Sequence, residues 1–186
     1  MYIVYLCCTM SKEGVNMMED MISTTKKKMI EYYAGDSRRI HHFLKVHSFA
    51  RLIGEMESMS GEELAVLEIA ALVHDIGIKN AELKYGYNNG RLQEQEGPPE
   101  ARRLLRDVGV ESGVIDRVCY LVAHHHTYGS IDGLDYQILV EADFIVNLYE
   151  DKADDDTVRK VYDRIFATES GRYLYRQIFC DIITKS

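Results

Sequence analysis

The 186-residue sequence contains no tryptophan and only two prolines, the adjacent Pro98 and Pro99, so few positions forbid a helix. It has four cysteines (Cys7, Cys8, Cys119 and Cys180), which lack the CxxC spacing of a zinc site and suggest no disulfide framework. This cysteine usage predicts a reducing, cytoplasmic setting. No window approaches the roughly 18 to 20 consecutive apolar residues of a membrane span, so we expect no membrane partner.

Positive charge is also scarce, since 30 Asp and Glu oppose 22 Lys and Arg and give a net charge of -8. Binding of long nucleic acid needs a basic face, so this balance excludes it as a partner, although a few local cations suffice for one small nucleotide. The sequence lacks the dinucleotide-binding motif GxGxxG and the Walker-type phosphate loop GxxxxGK. It also lacks the zinc-protease motif HExxH and the serine-hydrolase motif GxSxG.

The sequence has a helical hydrophobic period, 46% hydrophobic residues, no internal repeat and no Gly/Ser-rich linker. We predict an all-α, single-domain helical bundle over residues 19–186, preceded by an N-terminal arm over residues 1–18. Predicted helices cover residues 19–34, 37–57, 61–74, 98–107, 111–126, 134–150, 155–168 and 170–183. Residues 78–97 form the longest stretch predicted to be irregular, with Asn89-Gly90 as a turn signal, and a loop of that length is often a lid.

The predicted third helix ends on an unusual pair, His74 and Asp75. Between Leu64 and Val73 only Glu68 is charged, so this helix should be buried nearly all round. An ionised carboxylate at its end is costly unless it is paired or bound to a cation. The alternative is an ordinary helix end, with the imidazole near the helix dipole and Asp75 facing water.

Partners for such a cation occur on two other predicted helices. Asp143 shares an apolar face with Leu139, Ala142 and Val146. His42 and His47 each lie on an apolar stripe of the second helix, and spacing alone does not choose between them. Imidazoles and carboxylates from three buried helices suit a divalent transition metal with open positions, as in a catalytic site.

Three consecutive histidines, His124, His125 and His126, end another apolar helix. His125 continues the inner face formed by Val118, Leu121 and Val122, His126 lies four residues after Val122, and His124 is turned further away. Which of them faces the site stays open. The alternative interpretation is a polar helix end with a single core imidazole.

This ordered set resembles the HD-domain superfamily of metal-dependent phosphohydrolases, whose pattern is a His, then His-Asp, then a distant Asp. The matching residues are His42, His74, Asp75 and Asp143. The stretch "HFLKVHSFA" fits the first motif with His42, which favours it over His47. The resemblance spans residues 38–149, most of the chain.

The sequence departs from the superfamily pattern in two places. Many members carry Lys three residues after the Asp, where this chain has Ile78, followed by Lys79. Members with two metals have a His in a segment like "HPxxGA", where "EGPPEA" places Glu96. His125 and His126 match a later His that binds the second ion or contacts phosphate.

The resemblance implies a metal-dependent phosphohydrolase that cleaves a phosphate ester or anhydride, with a small nucleotide as the expected substrate. It implies one Mn²⁺, Fe²⁺, Co²⁺, Ni²⁺ or Zn²⁺ ion, rather than two, held by His42, His74, Asp75 and Asp143. The catalytic candidates are Asp75, His125, His126 and Lys79. Candidate second-metal ligands are Glu96, His125 and His126, and candidate phosphate contacts are Lys45, Lys79 and Arg91.

Two other classes of function remain as alternatives. One is a two-iron oxygenase on the same scaffold, which would need Glu96 and the histidine cluster as extra ligands. The other is a non-catalytic module that binds a nucleotide. Such a module has usually lost a metal ligand, whereas this sequence retains all four. The amphipathic C-terminal helix could pack on the domain or support a homodimer.

Overall fold

The computed structural model describes residues 12–183, which form helices and no strand. The helices are α1 Lys12–Tyr32, α2 Ser37–Met56, α3 Gly61–Val73, α4 Ile78–Tyr85, α5 Gly90–Val108, α6 Ser112–His124, α7 Leu134–Glu150, α8 Asp155–Ile165, α9 Glu169–Ile178 and α10 Cys180–Ile183. The predicted all-α fold is confirmed. Residues 1–11 of the predicted arm lie outside the described part, and the domain boundary at residue 18 stays a prediction. No described helix combines the length and apolarity needed to cross a bilayer.

Helix α3 is the centre of the bundle, in contact with α1, α2, α6 and α7. Every residue from Leu67 to His74 is buried, as the near absence of charge in this helix predicts. Its one buried acid, Glu68, lies 2.9 Å from the imidazole of His47 and 3.7 Å from the guanidinium of Arg51. This pairing explains how an acidic residue is accommodated in an otherwise apolar helix.

Side-chain caps begin α2, which carries His42, and α3, which His74 follows. Asp36 accepts the backbone N–H of Arg39 at the start of α2. Ser60 and Glu63 form a reciprocal capping box at the start of α3, as their spacing predicts. These caps define where α2 and α3 begin and therefore the register at which their histidines meet.

The prediction of an irregular lid over residues 78–97 is wrong, because α4 and the first two turns of α5 occupy most of it. Asn89, interpreted as part of a turn, instead caps α5 by accepting the N–H of Leu92 at 3.0 Å. Pro98 and Pro99 lie inside α5 rather than in its first turn. Prolines lack the N–H that a helix interior uses, so the sequence predicts a helix that begins at Pro98. In the structure α5 instead continues through both prolines.

The turn after α3 lies against α5 at a point where both backbones are glycine. A Cβ on Gly77 would lie 2.6 Å from the backbone oxygen of Gln93 and 2.6 Å from the nitrogen of Gly97. A real Cβ atom essentially never lies under 3.0 Å from another heavy atom of this kind, so only glycine permits this approach. The turn that carries His74 and Asp75 is therefore held directly against the first half of α5.

A fully buried carboxylate, Glu141, connects α7 to the segment between α8 and α9. It accepts the backbone N–H groups of Ala167 and Thr168, the hydroxyl of Thr168 and the amide of Gln137. With its oxygens satisfied by these donors, the charge is tolerated in the interior. The contact orients α7, on which Asp143 lies two residues further along.

Candidate metal centre

Four side chains from α2, the end of α3 and α7 meet in the interior of the bundle. His42 lies on the buried face of α2, His74 directly follows α3, Asp75 begins the next turn, and Asp143 lies on α7. His74 is fully buried, while His42 and Asp143 are 8% and 5% exposed. These polar groups are placed where an apolar residue would otherwise be expected, so their mutual contacts must offset the loss of hydration.

The donor atoms of this quartet lie close together. The Nε2 atoms of His42 and His74 are 3.3 Å apart, and Asp143 Oδ1 lies 3.3 Å from the first and 3.5 Å from the second. Asp75 Oδ2 lies 4.0 Å from His42 Nε2 and 3.7 Å from His74 Nε2. Both carboxylates therefore have an oxygen within 4.0 Å of both Nε2 atoms, and His42, His74 and Asp75 form one set of potential metal ligands.

Hydrogen bonds on the far side of each ring indicate which nitrogen carries a proton. His74 Nδ1 donates to the carbonyl of Ala71 at 2.9 Å, and His42 Nδ1 lies 3.2 Å from a carboxylate oxygen of Glu150. In the neutral rings both Nε2 lone pairs then face the same point. Asp143 Oδ1 is buried there without a well-aligned hydrogen bond among the described residues. Converging lone pairs and an unsatisfied carboxylate oxygen fit a bound divalent cation.

The electrostatics of the quartet show the same demand for positive charge. Burial acts to lower the pKa of His74, but the carboxylates of Asp75 and Asp143 outweigh it and raise that pKa to about 9. Burial acts to raise the pKa of Asp75 and of Asp143, yet neighbouring imidazoles hold both well below their usual range. Without a metal, the proton on His74 offsets only one of these two negative charges in the interior.

The other oxygen of Asp75 faces the histidines that follow α6. Asp75 Oδ1 lies 3.1 Å from His125 Nε2 and 3.8 Å from His126 Nε2, and the three side chains form a second set of potential metal ligands. His125 Nδ1 donates to the carbonyl of Val122 at 3.0 Å. Burial lowers the pKa of His125. In the neutral ring Nε2 and Asp75 Oδ1 are both acceptors, 3.1 Å apart, and a cation between them would stabilise this arrangement.

A chain of directed hydrogen bonds reaches His126 from the surface. Glu82, an acceptor, receives a guanidinium N–H of Arg39 at 2.5 Å and the amide of Asn88 at 2.8 Å. Asn88 Oδ1 then accepts the Gln93 amide at 3.1 Å, which leaves Gln93 Oε1 to accept from His126 Nε2. His126 therefore carries its proton on Nε2, the nitrogen nearest to Asp75.

A cavity of about 320 Å³ opens beside the quartet. His42, Asp75 and Glu150 line its inner end together with Phe43 and Ile78. The remaining walls carry two arginines, three amides and one further acid, namely Arg38, Arg39, Asn88, Gln93, Asn147 and Asp36. A volume of this size holds a small molecule next to the carboxylates.

Several predicted site residues have other partners. Lys79 donates to the carbonyl of Tyr32 at 2.9 Å and lies 4.7 Å from the centre of that ring. Lys45 contacts Glu150, and Glu96 contacts Lys84 and accepts the Tyr85 hydroxyl at 3.1 Å. These three residues and the exposed Arg91 are not among the residues that line the cavity.

The remaining histidines also have definite positions. His41 is exposed, and His47 pairs with Glu68 away from the quartet. His124 Nδ1 donates to the carbonyl of Tyr120 at 2.7 Å, so His125 and His126 are the two that reach Asp75. The tertiary structure thus shows which two of the three consecutive histidines face Asp75.

Sequence reasoning missed Glu150, Gln93 and Arg39 as parts of the site. Glu150 was detectable, because it follows Asp143 by seven residues and so lies on the same helical face. Gln93 was hidden because its segment was interpreted as a loop. Arg39, three residues before His42, carried no distinguishing signal beside the adjacent Arg38.

Comparisons with known proteins match the sequence to a family and the fold to a solved structure. The HD-domain family model matches residues 39–167, which include all four quartet residues. A crystal structure of a predicted HD superfamily hydrolase from an uncultured Thermotogales bacterium superposes with a TM-score of 0.59. That protein is 22% identical, and the alignment covers 89% of this chain and 87% of the other. No curated protein matches the chain.

Proposed function

The chain belongs to the HD-domain family, and from this premise we propose that it is a metal-dependent hydrolase of a phosphate ester or anhydride. The observation that carries the proposal is the convergence of two imidazole lone pairs and two carboxylates beside a cavity. His42, His74, Asp75 and Asp143 would hold the ion. When bound, a divalent transition metal at this position supplies Lewis-acid stabilisation of phosphoryl charge and lowers the pKa of water.

Asp75 is the residue best placed to link the ion to the reacting water. Its Oδ2 faces His42 and His74, while its Oδ1 faces His125 at 3.1 Å. A carboxylate whose two oxygens face different histidines can orient a nucleophile between them. This dual contact supports the catalytic role assigned to Asp75.

His126 is suited to interact with negative charge that develops on the phosphoryl group or the leaving oxygen. Gln93 Oε1 accepts from Nε2 of His126 and so keeps a proton on that nitrogen, which lies 3.8 Å from Asp75 Oδ1. When a substrate oxygen takes the place of Gln93 as the acceptor, this N–H can stabilise charge or donate a proton to a leaving oxygen. His125, whose Nδ1 donates to the carbonyl of Val122 and leaves Nε2 free to bind a cation, is the better candidate for a second metal ligand.

The cavity walls supply the substrate contacts. Arg38 and Arg39 are the cationic side chains that line it, and both belong to the first turn of α2. We propose that they replace Lys45, Lys79 and Arg91 as the phosphate contacts. The amides of Asn88 and Asn147 can hydrogen-bond a sugar or a base, and this supports a small nucleotide as the substrate.

Metal-dependent phosphate release tests the proposal. The protein is stripped of metal, reloaded with Mn²⁺, Co²⁺, Ni²⁺, Fe²⁺ or Zn²⁺ and assayed on nucleotides and simple phosphomonoesters. Release should be lost in Asp75→Ala and retained in Asp163→Asn, which removes a charge from the exposed face of α8. Metal binding at the quartet without release from any substrate would refute hydrolysis.

The two-iron oxygenase retains one supporting observation, the second ligand set of Asp75, His125 and His126. Glu96 does not add to it, because its carboxylate is engaged by Lys84 and Tyr85. A two-iron absorption band in the purified protein would favour the oxygenase. Saturable nucleotide binding without turnover under any metal would favour the binding module.

A further inference from the structure

The imidazole of His42 has a partner unlike those of the other buried histidines at the site. Its Nδ1 lies 3.2 Å from Oε2 of Glu150, whereas His74 and His125 donate to the backbone carbonyls of Ala71 and Val122. Glu150 lies on α7, two turns beyond Asp143. One helix thus supplies both a quartet carboxylate and the acceptor behind the opposite imidazole.

Lys45 holds the second oxygen of the same carboxylate. Its ammonium contacts Glu150 Oε1, and it lies one turn beyond His42 within α2. The Glu150 side chain is 13% exposed and that of Lys45 is 41% exposed, so the carboxylate is largely shielded while the ammonium still reaches solvent. A carboxylate that is paired with an ammonium on one oxygen stays ionised and acts only as an acceptor on the other.

The direction of the contact with His42 follows from this constraint. Because Glu150 only accepts, Nδ1 of His42 carries the proton and Nε2 of the neutral ring presents its lone pair. That lone pair faces Asp143 Oδ1 at 3.3 Å and the Nε2 of His74 at 3.3 Å. An anionic acceptor behind a ligating histidine both orients the ring and strengthens it as an electron donor.

We propose that Glu150 is a positioning residue that sets the tautomer and orientation of His42 for metal binding, and that Lys45 holds Glu150 in place. This inference rests on the proposed metal-dependent function and deepens it. It also assigns Lys45 a role different from the phosphate contact expected from the sequence. Glu150 lies on the Nδ1 side of the ring, opposite the convergence point, so it acts through His42 rather than as a ligand.

Metal affinity is the direct measurement, taken with Co²⁺ in competition with a chromophoric chelator on the full chain. The variants are Glu150→Ala, Glu150→Gln and Lys45→Met, and the control is Asp151→Asn, which removes the same charge from the adjacent, 68% exposed position. Loss of a hydrogen-bonded partner of this type costs about 10- to 100-fold in affinity. We expect that loss for Glu150→Ala and partial rescue in Glu150→Gln, whose amide oxygen still accepts.

The visible absorption band of bound Co²⁺ gives a second readout that general stability does not move. It should shift in Glu150→Ala, because a less basic His42 weakens the ligand field, and should be unchanged in Asp151→Asn. Lys45→Met should give a smaller loss of affinity than Glu150→Ala, since the hydrogen bond to His42 remains. Thermal unfolding of each metal-free variant should match that of the wild type.

The outcomes separate this inference from the proposed function. A wild-type chain that binds no Co²⁺ overturns both. Co²⁺ binding by the wild type, together with Glu150→Ala affinity within about twofold of Asp151→Asn, overturns the positioning role alone. Metal-free Glu150→Ala that unfolds well below the control would also overturn it, because the residue would then act on the fold.

Discussion

The substitution Gly77→Ala tests whether the turn after α3 and helix α5 touch backbone to backbone. The new Cβ would lie 2.6 Å from Gln93 O and 2.6 Å from Gly97 N, where ordinary contact begins at 3.4 Å. The two segments must separate by about 0.8 Å, and neither obstacle is a flexible side-chain end. Overpacking of this kind costs about 1–3 kcal/mol, and a rigid neighbour places Gly77→Ala at about 3 kcal/mol.

A smaller opposing effect must be subtracted. Gly77 has φ of -68°, an ordinary helical value, so alanine gains about 0.5–1 kcal/mol from reduced backbone entropy. The net loss is about 2 kcal/mol, which for a chain of this length lowers Tm by about 4–8 °C. Helix α5 also carries Gln93, so the same separation should slow the reaction.

Gly113→Ala is the matched control, because a Cβ on Gly113 meets nothing within 4 Å and the residue lies in the first turn of α6. It should raise stability by about 0.4–1 kcal/mol. Urea denaturation of both variants and the wild type gives the free energies of unfolding. A Gly77→Ala protein as stable as Gly113→Ala would refute the close approach.

Three further outcomes follow from the site. Asp143→Asn should abolish metal-dependent phosphate release and weaken metal binding, and an unchanged affinity would contradict its place in the quartet. In the metal-free protein the pKa of His74 is about 9, above its unfolded value, so His74 contributes stability fully below about pH 6.5. That contribution is lost as pH rises through 9, and a flat stability profile from pH 6.5 to 9 would contradict it. Gln93→Ala should lower kcat about 10-fold without changing metal affinity, because His126 loses the acceptor of its Nε2–H. Gln95→Ala, at an exposed position of the same helix, should leave kcat unchanged. Equal effects of the two substitutions on kcat would contradict the hydrogen-bonded chain.

The sequence pattern predicted those features of the fold that depend on residues close together in the chain. The apolar run before His74 identified a buried central helix, and Ser60 with Glu63 identified its start, because capping and burial involve neighbours in sequence. The order of His42, His74, Asp75 and Asp143 along the chain was enough to suggest the HD-domain family. Their roles as ligands stay predictions that the metal-binding measurements test.

The segment from Ile78 to Gly97 shows where local pattern was insufficient. Asn-Gly and Pro-Pro are turn and helix-start signals in isolation, yet here one caps a helix and the other lies inside it. Gly77 packs on Gly97, which lies 20 positions further along the chain and directly before the prolines. Such a contact has no periodic signature in the sequence.

The sequence by itself determined the helical class, the buried third helix and the identity of the chemical groups available, because these depend on residue type and spacing. Only the tertiary structure decided which groups meet. It directed His125 and His126 to Asp75, turned His124 away, and assigned Lys45 to Glu150 and Lys79 to Tyr32. The physical reason is that a side chain's partner depends on how helices distant in sequence pack, and hydrogen bonds and charges act only at contact.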